Sequence, residues 1–184
     1  MKKALLSLGI MAALTPTVAS AEGGYLGGSY GRTEFNVSSS ERADLNSLGF
    51  SVKDDSDQGF KVFGGYRFNK NIAVEGYYAD LGDLELTGGS VNVDAAIDGY
   101  GVSLVGLLPV TEQVDLFAKV GMFHWSNDVS SNVGVSGGDD GTDGSYGLGV
   151  AYTMDSVTFR AEFERYDLGD VDVDLISAGL ALNF

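Results

Sequence analysis

Charged side chains recur at even spacing inside otherwise apolar runs of this 184-residue sequence: Lys61 and Arg67, Glu75, Asp115 and Lys119, then Arg160, Glu162 and Glu164. An even step puts residues on one face of a β-strand. Four cations against four carboxylates on one face make a near-neutral set, which is the form in which a low-dielectric interior tolerates charge. The chemistry open to such a set is electrostatic, and two readings stand. It is either a plug of ion pairs filling a lumen, or the lining of a very narrow gated conduit.

Other groups carry less. Asp139, Asp140 and Asp143 sit among glycines in the stretch Ser136–Gly144, at the density of a calcium loop, but without the bidentate Glu of such a loop. They read as a solvated acidic loop, with weak divalent binding as the alternative, and Asp54, Asp55 and Asp57 read the same way. The single histidine, His124, has no partner nearby in sequence. No nucleophile, base and orienter come together anywhere, so no catalytic residue and no enzyme activity is expected. Nothing suggests a cofactor-binding residue or a cofactor.

The elements that must position the charges are short and alternating. Eight segments follow one another: 24–34, 58–68, 72–81, 96–108, 114–125, 144–154, 157–167 and 171–184. Each reads with period two, the pattern of a strand with two unlike faces. In the last, Ile176, Ala178, Leu180, Leu182 and Phe184 alternate with Ser177, Gly179, Ala181 and Asn183. Connections at 69–71, 109–113 and 155–156 are short, whereas 36–56, 82–94 and 126–143 are longer. The stretch 82–94 could instead extend a hairpin above a membrane. Short turns at one end and longer loops at the other indicate an all-β fold, an eight-stranded antiparallel up-and-down transmembrane β-barrel. On its greasy face Tyr30, Tyr78, Tyr100 and Tyr146 form one aromatic row. Tyr66, Phe68, Tyr152, Phe159 and Phe184 form another, as expected of a lipid-facing wall.

Composition fits an exported barrel. Met1-Lys2-Lys3, an apolar run to Leu14 and the small-residue site Ala19-Ser20-Ala21 read as a cleaved signal peptide over residues 1–21, leaving one domain at 22–184. The formal charge of −15 becomes −15 − 2 = −17 once Lys2 and Lys3 are removed. Such acidity argues against nucleic acid as a partner. There is no Cys, so disulfides contribute nothing. No later apolar run is long enough for a transmembrane helix, and membrane residence must come from a closed barrel.

The leader, eight alternating strands, Gly64-Gly65-Tyr66-Arg67-Phe68 before a short turn, and the terminal Leu182-Asn183-Phe184 resemble the small outer-membrane barrels of the OmpA/OmpX type. The likeness covers essentially all of 22–184. The chain ends where a two-domain OmpA would continue into a peptidoglycan-binding domain, so that activity is not expected. The resemblance implies an outer-membrane location, contact with outer-membrane lipid and lipopolysaccharide, and recognition of Phe184 by the barrel-assembly machinery. It leads to a non-enzymatic envelope scaffold whose surface loops contact an extracellular ligand. A narrow cation-preferring pore is the alternative. A soluble periplasmic lipocalin-like carrier, with the apolar face turned inward, is the second.

Overall fold

The computed structural model describes residues 22–37, 51–54, 56–88, 91–131, 136–169 and 171–184; the expected leader lies outside them. Nine strands follow in chain order: β1 (Gly23–Val37), β2 (Ser51–Asp54), β3 (Ser56–Asn69), β4 (Ile72–Gly88), β5 (Val91–Pro109), β6 (Val114–Ser131), β7 (Ser136–Met154), β8 (Val157–Leu168) and β9 (Val171–Asn183). Among the described residues no helix is long and apolar enough to cross a membrane. All pairings are antiparallel. Eight strands, β1 and β3 to β9, run β4-β3-β1-β9-β8-β7-β6-β5, and β5 pairs back with β4 to close the wall. The ninth, β2, is a four-residue piece that pairs only with the upper end of β4.

One row of paired residues, followed round the wall, passes Gly99, Ala79, Lys61, Ser29, Gly179, Arg160, Ala151 and Asp115. It returns to β5 at Pro109, a stagger of 109 − 99 = 10 residues. Closing a sheet on itself requires such a stagger together with tilted strands.

The short turns are held by local chemistry. Asn69 Oδ1 accepts the Asn71 amide at 2.8 Å, and Thr111 Oγ1 accepts that of Val114 at 3.0 Å. Asp155 takes a left-handed φ of 55° in the two-residue turn before β8. Higher up, the β4–β5 register shifts between Asp80 and Asp83. Gly82 absorbs that bulge at φ 83°, its amide donating to Asp80 Oδ1 at 3.0 Å.

Three expectations need correction. Most of 126–143 is strand and not loop, because β6–β7 continues as a hairpin well above the barrel rim, while 82–94 takes its hairpin-extension alternative as β4–β5 continues likewise. Asp94, for instance, still pairs with both Glu85 and Ser130. Part of 36–56 is the strand β2. The soluble-carrier reading fails outright: Leu26, Val62, Val102, Leu104, Val120 and Leu148 all point out of the barrel. Both aromatic rows lie on that exterior. Phe60 joins the hairpin-end row beside Tyr78, as does His124 beside Tyr100, with ring centroids 6.3 and 5.0 Å apart.

Candidate functional site: the lumen

The interior has three levels. In the middle, Lys61 from β3, Glu75 from β4, Lys119 from β6, and Arg160, Glu162 and Glu164 from β8 are all buried and form one connected network. Lys119 reaches all three carboxylates: Glu75 at 3.3 Å, Glu164 at 2.8 Å, and Glu162 in closer contact. Lys61 pairs with Glu162 at 3.0 Å and with Glu164. Arg160 donates to Glu75 at 2.7 Å and forms an ion pair with Glu162 at 3.2 Å. Its guanidinium carbon lies 4.4 Å from the Phe63 ring centre and 4.7 Å from that of Phe117, within cation–π range of both rings. Three cations thus meet three anions with no charge left over.

Arg67 and Asp115 do not belong to this network. They pair with each other at 2.9 Å near the short-turn mouth, half-buried, and Arg67 also donates to the Asn69 and Lys70 carbonyls. Sequence parity placed them on the correct face, but the level on the axis depends on the stagger, which parity does not contain.

Below the network, toward the short turns, inward side chains become small. Ala73, Ala151, Ala181, Thr153 and Thr158, with Val105, Leu107 and Phe117, leave a vestibule of about 130 Å³. Arg67 and Asp115 stand at its mouth, and Tyr25 and Arg160 at its inner end. Its polar groups satisfy one another: Thr153 with Thr158 at 2.9 Å, Asn183 with Thr158 at 2.9 Å, and Tyr25 with Glu75 at 3.1 Å.

Above the network lies an apolar layer that the sequence reading missed. Phe35, Ala79, Leu81, Ile97, Phe123, Tyr166, Leu168, Val173 and Leu175 are buried in one cluster with Tyr77, and that cluster reaches down past the network through Phe63 and Ala181. Tyr77 stacks on Phe123 at 5.9 Å, and Phe123 meets Tyr166 at 4.8 Å. Room for the flat rings comes from β5, where a Cβ on Gly101 would stand 2.5 Å from Tyr77 Cζ, and one on Gly99 2.7 Å from Phe123 Cζ. A signal for this layer exists. At the hairpin ends the alternation inverts: Asp80, Asp98, Asp167, Asp172 and Asp174 hold the outward positions, and Leu81, Ile97, Leu168, Val173 and Leu175 the inward ones. Such an inversion marks where a strand leaves lipid for water.

The acidic stretch is not a loop. Asp139 and Asp143 share one face of β7, and Asp140 takes the other. Asp143 accepts from Trp125 Nε1 at 2.7 Å, and Asp139 Oδ1 takes the Asp140 amide at 3.0 Å. These three carboxylates therefore do not converge. Among the described residues no group of three His, Asp or Glu could hold a metal. His124 Nδ1 lies 2.8 Å from Thr142 Oγ1 on the outer surface. Phe184 follows the last residue of β9, its amide and carbonyl exchanging 2.9 Å bonds with Gly24.

Comparison with known proteins gives this geometry its context. At 27% identity the chain aligns along its whole length with 56% of outer membrane protein A from Klebsiella aerogenes. At 30%, 68% of it aligns with 40% of outer membrane protein A from Salmonella typhi. The chain thus spans about half the length, or less, of these curated relatives. Among solved structures, Neisserial surface protein A matches with a TM-score of 0.64 at 16% identity, covering 88% of this chain and 97% of that one. Ail, the attachment invasion locus protein of Yersinia pestis, matches with a TM-score of 0.58 at 21% identity, covering 88% and 99%; that structure holds the heparin analogue sucrose octasulfate. These likenesses show the same fold. Residues 4–184 match the outer membrane protein beta-barrel domain, and the chain belongs to that family as a barrel of the outer membrane.

Proposed function

We propose that this chain is a non-enzymatic envelope scaffold and contact platform, closed to solutes and presenting its long hairpins outside the cell. The observation that supports the closed reading is the lumen itself, filled by a charge-balanced network rather than by a continuous channel. The narrow eight-strand wall leaves little else for its interior to be. Lipid and lipopolysaccharide contact the apolar band and its two aromatic rows. Phe184, exposed at the short-turn end, is assigned as the signal for the barrel-assembly machinery.

The chemistry of the surface partner follows from charge. Asp139, Asp140 and Asp167 are exposed at the hairpin end, in a chain of net charge −15. Such a rim attracts cationic partners and repels sulfated ones. A partner like the heparin analogue bound to Ail is therefore disfavoured here. Vesicles carrying the purified barrel should retain oligolysine and not heparin, and retention should fall with added salt. Retention of neither polymer would defeat the platform reading, and heparin retention without oligolysine retention would overturn the preference for cationic partners. The narrow-pore alternative draws on the open vestibule and the acidic rim, and it requires steady currents from the unaltered protein in planar bilayers.

A further inference from the structure

We propose that the water seal of this lumen is the apolar layer at the hairpin end and not the ion network, so that the lumen is a blind vestibule open only from the short-turn end. This deepens the closed-platform reading and rests on it.

The three levels differ in how each would meet water. The vestibule of about 130 Å³ opens at the short-turn mouth past Arg67 and Asp115, and Arg160 lies at its inner end. Water entering there reaches an edge of the network directly. Charged groups hydrate readily, so a network touched by water on one side is a poor barrier unless something dry backs it. The apolar layer does so. Phe123, Tyr166, Leu81, Val173 and Leu175 are at most 1% exposed. Their rings and branched chains come from β4, β6, β8 and β9, so the layer crosses the bore rather than coating one wall. Tyr166 and Thr33 bring hydroxyls into this level, and both residues are fully enclosed.

The glycines strengthen the case. At Gly99 and Gly101 the rings of Phe123 and Tyr77 press against bare backbone, closer than any Cβ would allow. At Gly59 a Cβ would meet Thr33 Oγ1 at 2.6 Å and Leu175 Cδ1 at 3.1 Å. The layer is thus packed hard against the wall at β3 and at β5, the two neighbours of β4. Below the network the inward residues are instead Ala73, Ala151, Ala181 and Val105, which leave the space open.

The experiment uses the whole barrel in lipid and reads accessibility and current. The chain has no cysteine, so single replacements report cleanly. In proteoliposomes a small cationic thiosulfonate reagent should modify Ala151→Cys from the short-turn side. It should leave Ala79→Cys, a member of the apolar layer, unmodified from either side. In planar bilayers with potassium chloride, the unaltered protein and Glu162→Gln should both be silent. The pair Phe123→Ala with Leu175→Ala should pass current, and adding Glu162→Gln to that pair should raise it severalfold. Trp125 fluorescence establishes that each variant is folded. Modification of Ala79→Cys in the otherwise unaltered barrel overturns the inference. So does Glu162→Gln conducting alone, or a folded layer variant that stays silent. Steady current through the unaltered protein would instead overturn the closed-platform reading itself, and the two failures are told apart by that first measurement. Should the double variant fail to fold, the accessibility of Ala79→Cys decides alone.

Discussion

At the scale of single residues, the network is a balance in which each group is held by several partners. Glu162 contacts Lys61, Lys119 and Arg160 together. Removing its charge leaves three cations facing two carboxylates in a buried site. Glu162→Ala should therefore lower unfolding stability by about 3–5 kcal/mol, the range for breaking a buried pair from one side. Glu162→Gln keeps the shape and part of the hydrogen bonding and should cost less. Urea unfolding of both variants in the same lipid checks the order, and equal stabilities for all three proteins would mean the network is solvated. Asp115→Ala makes the contrast. Its partner Arg67 keeps a 24% exposed side chain and two backbone acceptors, so the loss should be about 1 kcal/mol or less. The face of every one of these groups was legible from parity alone. Their grouping was not, because a pair forms only between residues at one level on the axis. Lys61 and Glu164 stand on strands that are not neighbours, and no periodicity joins them.

At the scale of elements, β5 shows both faces in adjacent residues. Leu104 is 53% exposed and Ser103 3%. Leu104→Arg puts a charge against hydrocarbon and should cost about 2–4 kcal/mol near the midplane. Ser103→Arg places the same group inside, where Ser103 Oγ already stands 2.4 Å from where a Cβ on Gly121 would be. It should fail by crowding, and its penalty should not depend on bilayer thickness, whereas that of Leu104→Arg should. Folding yields in thin and thick lipids separate the two. Existence and order of the eight barrel strands were readable from alternation, but their lengths were not. Glycine and aspartate are poor strand formers, so 126–143 reads as loop. The ladder nevertheless continues, because β5 offers β6 a paired edge up to Val93↔Ser131, and β6 offers β7 one up to Ser130↔Ser136. Tertiary pairing overrode local propensity there. The apolar layer escaped notice for a related reason. No single inside–outside rule holds along a whole strand, because the environment outside the wall changes from lipid to water partway up.

At the scale of the whole molecule, strand length and membrane thickness together decide which way the barrel points. β7 runs 19 residues from Ser136 to Met154. At roughly 3.3 Å per residue and a tilt near 45°, such a strand rises about 45 Å, well beyond the hydrocarbon thickness of about 30 Å. The excess lies at one end only. Tyr152 stands close to the two-residue turn after β7, whereas ten residues separate Tyr146 from the start of the strand. With the aromatic rows taken as the two membrane interfaces, the short turns lie near one of them and the hairpins project far from the other. Outer-membrane barrels carry short turns on the periplasmic side, which sets the expected orientation. Two positions test it without disturbing the wall, both exposed and both in a chain free of cysteine: Glu112 in the turn before β6 and Asp140 on the β7 hairpin. On intact cells a membrane-impermeant maleimide should label Asp140→Cys and leave Glu112→Cys untouched. After the outer membrane is opened by osmotic shock, Glu112→Cys should label to a similar extent. Labelling of Glu112→Cys on intact cells, with Asp140→Cys protected until shock, would mean the barrel sits the other way up, with its acidic hairpins in the periplasm and the vestibule facing the medium.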